Sequence, residues 1–108
     1  MEGKPKQILI ADDEVDILER VGYNLREEGY EIYTAKDGNE ALNNARQLNP
    51  DLIILDIMMP KKTGVDVCQI LRSQPALQDT LIIFLTALSD ESSHIKGVET
   101  GADDYVSK

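Results

Sequence analysis

Residues 52–55 are four apolar side chains in a row, Leu52-Ile53-Ile54-Leu55, and the run ends on Asp56. Pro60 then halts regular structure, and Gly64 opens a stretch of helical spacing. A short unbroken run this rich in Ile suits a strand buried on both faces, the kind found in parallel sheets covered by helices on each side. An aspartate at the carboxyl end of such a strand lies where open α/β sheets place their chemistry.

The rest of the chain repeats this grammar. Residues 7–11, QILIA, form a second apolar run that leads into Asp12 and Asp13. Residues 14–28 carry Leu18, Val21, Gly22 and Leu25 at helical spacing, with Asp13 a candidate N-cap and Gly29 a natural residue to end the helix. Residues 30–35, YEIYTA, read as a strand. Ala41, Leu42, Ala45 and Leu48 mark one face of a helix over 39–48, which Asn49-Pro50 ends. The central strand is expected at 51–55, followed by a loop over 57–63. Helical spacing resumes at Val65, Cys68 and Leu71, and 73–80 reads as a polar turn broken by Pro75. A third continuous run, LIIFL at 81–85, ends at Thr86. A weaker helix is expected over 89–100, with Ile95 and Val98 inward and Gly101 closing it. Residues 104–107, DYVS, are the last strand candidate, before Lys108.

The order is β-α-β-α-β-α-β-α-β. Connections long enough for a helix imply parallel strands with right-handed crossovers. The expected architecture is a doubly wound three-layer sandwich around a five-stranded parallel sheet in the order 2-1-3-4-5. Five strands with four helices leave part of one sheet face uncovered, so a fifth helix is expected after Lys108, in a longer protein of which this chain is a piece.

At 108 residues the chain is long enough for one domain. Its net charge of −9 opposes binding to a phosphate backbone, which argues against direct nucleic-acid binding by this chain. The single cysteine, Cys68, cannot form an intrachain disulfide and fits a reducing compartment, so a cytoplasmic location is expected. No stretch has the roughly 18 apolar residues of a membrane span, and the polar N-terminus lacks a signal-peptide core.

In this topology the ends of the first, third, fourth and fifth strands meet at one edge. They bring together Asp12, Asp13, Asp56, Thr86 and Lys108. Two carboxylates about 5 Å apart repel by about 3 kcal/mol at an effective dielectric of about 20, so the cluster calls for a cation or raised pKa values. Oxygen ligands with open positions suit Mg²⁺. An Asp carboxylate beside that ion is a reasonable nucleophile toward phosphorus, and phosphoryl transfer needs in-line positioning and neutralised equatorial oxygens. The ion, Lys108 and Thr86 with backbone N–H groups can take those oxygens.

Four motifs carry a family resemblance over essentially the whole chain: ILIADDE at 8–14, DLIILDIMMPKKTG at 51–64, IIFLTA at 82–87 and GADDYVSK at 101–108. All four, in order and at family-like spacing, make the chain resemble the receiver domain of bacterial two-component response regulators. The resemblance implies a flavodoxin-like fold and one receiver domain over 1–108. It implies that Asp56 is phosphorylated, that Asp13 ligates Mg²⁺ (or Mn²⁺) directly with Asp12 helping through water, and that Asp56 and the Met58 carbonyl complete the protein ligands. Thr86 would bind the phosphoryl group after a switch, Lys108 would pair with a phosphoryl oxygen or with Asp56, and Tyr105 would move between exposed and buried. The implied partners are a sensor histidine kinase or phosphotransfer protein, an output domain or separate effector, and a second copy in a homodimer. Relative to the family pattern, the proline and fifth helix that follow the lysine are absent, so dimerisation through the fourth helix, fifth strand and fifth helix is expected to be impaired, or replaced by a non-native association of exposed apolar surface. Met58 and Leu88, two residues beyond Asp56 and Thr86, cannot position an attacking water, which implies a long-lived phosphoryl group.

Each feature also has a plainer reading. Asp12 and Asp13 alone would be an acidic helix start. Cys68 reads as core, His94 and the Lys61-Lys62 pair as solvated, and Met58 and Met59 as packing for the loop. Two other functions compete with a phosphorylation switch. A Mg²⁺-dependent phosphatase with an aspartyl nucleophile would need a second acid, and position 58 is Met. A scaffold that binds partners without phosphorylation would not need the full set of acids, hydroxyl and lysine. The expectation is a phosphoacceptor that assists its own chemistry and is not a turnover enzyme.

Overall fold

In the computed structural model the central apolar run is β3 (Leu52–Asp56), the middle strand of five. The structure describes residues 5–86 and 101–107, with the side chains of Thr86 and Ser107 outside that description. In chain order the elements are β1 (Gln7–Ala11), α1 (Val15–Glu27), β2 (Glu31–Ala35), α2 (Gly38–Leu48), β3, α3 (Gly64–Arg72), β4 (Leu81–Thr86) and β5 (Asp104–Ser107). The strands pair in parallel in the order β2-β1-β3-β4-β5, as the alternating pattern predicts. From β1 to β4 the chain runs through α1, α2 and α3, because a parallel neighbour can be reached only by a long crossover.

Successive side chains on a strand point to opposite faces, and the sequence uses both. Leu9, Ile53, Leu55, Ile82 and Phe84 join Leu42, Ala45, Val67, Cys68 and Leu71 in one buried cluster under α2 and α3. Ile8, Ile10 and Ile32 pack with Leu18 of α1 on the other face, flanked by half-buried Val21, Leu25 and Ile54. Each fully buried large apolar side chain contributes about 1.5–3 kcal/mol relative to exposure, so the two clusters dominate the driving force. On the α1 face, toward β4 and β5, Leu81 and Val106 are 54% and 49% exposed, and Ile17, Val21, Ile54, Ile83 and Leu85 line an apolar depression beside them. This is the bare area expected from five strands and too few helices, as seen among the described residues.

Several local readings need correction. Glu14, not Asp13, holds the N-cap position of α1, and its side chain makes no capping bond. The turn is fixed from upstream instead, where Asp12 Oδ1 accepts the Glu14 N–H at 2.8 Å. α2 begins one residue earlier than its apolar spacing suggested, because Asp37 caps it by accepting the Glu40 N–H. It ends on Asn49 in the left-handed conformation, φ 46°. β3 runs one residue further, through Asp56. The 73–80 segment is not simply a polar turn. Pro75–Leu77 forms a short 3₁₀ helix that drops Leu77 into the main core at 1% exposure.

The expected helix over 89–100, with Ile95, Val98 and His94, lies outside the described residues, as do Leu88 and Lys108. Gly101, expected to close that helix, has φ 108°, the left-handed region that glycine tolerates. Among the described residues, no helix is long and apolar enough to cross a membrane.

Leu77 gives a direct check of this packing. Leu77→Ala is expected to cost about 2–5 kcal/mol, as a large-to-small change in a closed core does, and to lower the urea midpoint with an unchanged slope. A loss within about 0.5 kcal/mol, the range of an ordinary surface change, would mean that the turn does not insert into the core.

Candidate metal centre

The site is built by strand register. In the β1–β3 pair Ile8 faces Leu52, Ile10 faces Ile54 and Ala11 faces Leu55. Continued by one residue, that register sets Asp12 opposite Asp56. Neighbouring strands lie about 4.7–4.9 Å apart, so pairing alone makes the two carboxylates neighbours. Asp13, the next residue, is exposed at the mouth. One carboxylate oxygen from each of Asp12, Asp13 and Asp56 falls within 4.8 Å of the others. Asp12 and Asp56 are buried, at 0% and 3% exposure.

The position in the sheet has its own logic. The chain leaves β1 toward β2 on one side, while β3 returns to the other side of β1. Ligands of open α/β sheets bind outside the carboxyl ends of the strands at such a reversal. The backbone N–H of Asp12 still pairs with the Ala35 carbonyl at 3.0 Å, so β1 stays in the sheet up to the first acid.

The loop after Asp56 is held at several points. The Ile57 N–H donates to the Leu85 carbonyl, and the Met58 N–H turns back onto Asp56 Oδ1 at 3.3 Å. Ile57 and Met59 are buried at 2% and 7%, whereas Met58 is 58% exposed. Of the two methionines, only Met59 braces the loop from the core. The Pro60 carbonyl accepts from both Gly38 and Lys62. Lys61 is exposed and takes a positive φ of 72°, while Lys62 is half-buried. Thr63 and Asp66 exchange capping bonds at the start of α3.

Two glycines make this clamp possible, and neither was assigned that role from the sequence. A Cβ on Gly64 would sit 2.4 Å from the Asp56 carbonyl oxygen, and one on Gly38 would sit 2.3 Å from the Lys62 carbonyl oxygen. The Gly64 N–H also reaches the Ile57 carbonyl at 2.8 Å. Their only sequence signal is a glycine at the first position of two successive helical patterns, beside the same loop.

The other predicted residues fall as follows. Thr86 is the last residue of β4, one step beyond Leu85, which faces Asp56. It is paired with Ser107 of β5. Its backbone is therefore at the edge that carries the acids, while its side chain lies outside the described residues. Lys108 lies outside them too. Tyr105 faces Phe84 in the β4–β5 pair and is 43% exposed.

Three clustered carboxylates, two of them buried, offer only hard oxygen donors. That donor set fits Mg²⁺ or Mn²⁺, which bind few carboxylates and keep open positions for water and phosphate oxygens. Among the described residues, neither soft sulfur nor imidazole ligands stand in the cluster.

Comparison with known proteins agrees with this geometry. The response regulator receiver domain model matches residues 8–108. The alkaline phosphatase synthesis transcriptional regulatory protein PhoP of Bacillus subtilis is 47% identical over 103 residues, which is 95% of this chain. The chain spans only 42% of that relative's length. Chemotaxis response regulator CheY4 of Vibrio cholerae superposes with a TM-score of 0.91 at 34% identity, covering 96% of this chain and 87% of that one. Response regulator TrrA of Thermotoga maritima, solved in complex with Mg²⁺-BeF, superposes with a TM-score of 0.84 at 45% identity over 95% of this chain and 86% of that one. A sheet of this order, acids at its reversal point and a family match that runs from Ile8 to the last residue make one statement: the chain belongs to the receiver domains of two-component response regulators.

Proposed function

We propose that this domain is a phosphorylation-controlled switch in which Asp56 accepts a phosphoryl group from a phosphohistidine donor. The observation that carries the reading is the convergence of the Asp12, Asp13 and Asp56 oxygens within 4.8 Å at the reversal point of the sheet. An Asp56 carboxylate oxygen forms the new O–P bond while the P–N bond of the donor breaks, and the leaving imidazole keeps the electron pair. Asp12, Asp13, Asp56 and the Met58 carbonyl are the groups to hold a divalent cation. When bound, such an ion neutralises the clustered acids and the incoming phosphoryl oxygens. The Met58 N–H, already on Asp56 Oδ1, helps fix the nucleophile's orientation.

Thr86 and Lys108 are the remaining phosphoryl-binding groups in this proposal, and Tyr105 reports their movement. Tyr105 stands on an edge strand, 43% exposed, with room to change its packing. Phosphate at Asp56 adds charge and acceptor oxygens, which draw in donors and bias a two-state element. The readout surface is β5 with the segment before it, presented to an output domain, an effector or a second copy. The relative in Bacillus subtilis is a transcriptional regulator more than twice as long as its matched part. The domain assists its own phosphorylation and dephosphorylation and has no turnover substrate.

Incubation with Mg²⁺ and a small phosphoramidate is expected to add one phosphoryl group by intact mass. Asp56→Asn is expected to remove that gain, and a mutant that accepts the group at the normal rate would sink the proposal. Asp13→Asn is expected to weaken Mg²⁺ binding about tenfold or more by calorimetric titration, because it removes a charged oxygen ligand. Equal affinity in mutant and parent would take Asp13 out of the ligand set. The phosphoryl group is expected to last minutes rather than seconds after the donor is removed, since Met58 and Leu88 cannot orient water. Decay within seconds would show that other groups position the attacking water.

A further inference from the structure

Arg72, the last residue of α3, donates to other parts of the chain from all three guanidinium nitrogens. Its Nε donates to the Gly101 carbonyl at 2.8 Å. One terminal nitrogen donates to the Leu77, Gln78 and Thr80 carbonyls, at 3.2, 3.1 and 2.6 Å. The other meets Asp103 Oδ2 at 2.8 Å. The Arg72 side chain is 18% exposed and that of Asp103 45%, so the linkage is packed on the arginine's side and open to solvent on the aspartate's. Charge-assisted bonds of this kind are about twice as strong as neutral ones.

Asp103 is the hinge of the arrangement. The same Oδ2 that meets Arg72 also accepts the Ile82 N–H at 2.9 Å, while the Asp103 N–H donates to the Ile82 carbonyl at 2.9 Å. The Asp103 carboxylate thus stands in for a strand carbonyl at the first rung between β4 and β5. Just before β5, Ala102 packs against the main core. β5 itself is a four-residue edge strand paired only with β4, and residues 103–106 are all exposed. A one-residue slip of such a strand would move every side chain to the other face. Strands rise about 3.3 Å per residue, so an error at Asp103 would be carried four residues, about 13 Å, to Ser107 opposite Thr86.

We infer that Arg72 is a positioning residue for the phosphoacceptor site. By holding Asp103 on Ile82 it selects the β5 register that puts Ser107 opposite Thr86, the residue one step beyond Leu85 at the edge that carries Asp56. This inference rests on the phosphorylation reading above for its consequence, though not for its structural part. It separates two jobs: β1 and β3 hold the acids, and Arg72 sets the strand that pairs with the Thr86 end of β4.

The test uses the whole chain as Arg72→Met, Arg72→Lys, Asp103→Asn and the double variant Arg72→Met with Asp103→Asn. Three quantities are read: hydrogen exchange of the 104–107 amides, Mg²⁺ affinity, and phosphorylation rate with a saturating small phosphoramidate. In Arg72→Met and in Asp103→Asn, β5 exchange is expected to quicken and the phosphorylation rate to fall about tenfold, while Mg²⁺ affinity moves less than about twofold. The double variant should be no worse than Arg72→Met, because both changes break one linkage. Arg72→Lys, which keeps the charge but loses the fork, should fall between parent and Arg72→Met.

A parallel loss of Mg²⁺ affinity and rate would make Arg72 a general stabiliser and overturn the inference. So would unchanged β5 exchange in Asp103→Asn, a milder change that serves as the deciding variant if Arg72→Met does not fold. If the parent chain takes up no phosphoryl group, the phosphorylation reading itself fails. The exchange data then still decide whether Arg72 sets the β5 register.

Discussion

The in-register parallel pairing of β1 with β3 is the constraint on which the site depends. With Ile10 facing Ile54 and Ala11 facing Leu55, the next residues on the two strands are both aspartates. The apolar residues that precede them are buried to between 0% and 3% at Ile8, Leu9, Ile10, Ile53 and Leu55, and a slip of one residue would turn these side chains to the wrong faces. Hydrophobic burial therefore fixes the separation of two like charges. The repulsion between them, about 3 kcal/mol at about 5 Å and an effective dielectric near 20, is small beside the burial energy of two core strands. The fold can hold an acidic cluster open for a cation because the force that places the acids is not electrostatic.

The loop after Asp56 follows the same principle by different means. Besides Ile57 and Met59 in the core, it is held by backbone bonds and by two close approaches that only glycine allows. The Pro60 carbonyl is shared by Gly38 and Lys62, and Gly64 slides under the Asp56 carbonyl. α2 and α3 thus grip the loop through their first residues, with Ile57 and Met59 anchored in the core below. Met58, two residues from Asp56, is exposed, as are Pro60 and Lys61. Under the proposed function, this combination of a fixed backbone and an open side-chain mouth is what admits a phosphodonor.

Strand order and the acidic cluster were legible in the sequence because they follow from period-two burial and topology, which act on every residue of a strand. The chain around 52–56 shows this best, since four apolar letters and one acid locate both the central strand and its chemistry. What was not legible has a different physical origin. Leu77 looked like one apolar letter in a polar turn, and only the packing of a 3₁₀ turn against α3 makes it core. Asp13 looked like a helix cap, yet Asp12 fixes that turn by a bond to Glu14, a choice made by a local torsion and not by a pattern. Arg72 carried no signal, because its partners lie five to thirty-one residues away and most are backbone carbonyls, which every residue has.

The two halves of the sheet differ in a way that suits a switch. β1 and β3 lie inside the sheet between other strands, and their apolar residues are sealed on at least one face by helices. β5 lies at the edge, short and exposed, with its entry held by a polar linkage. Burial of apolar area is insensitive to the arrival of one phosphoryl group, whereas an edge strand with few packed contacts responds to modest changes in charge. Under the proposed function the acids must keep their spacing through the reaction while Tyr105 and its surroundings move. Acids on core strands and an aromatic reporter on an edge strand meet both demands within one sheet, and the Arg72–Asp103 linkage limits the motion by fixing one end of the strand that moves.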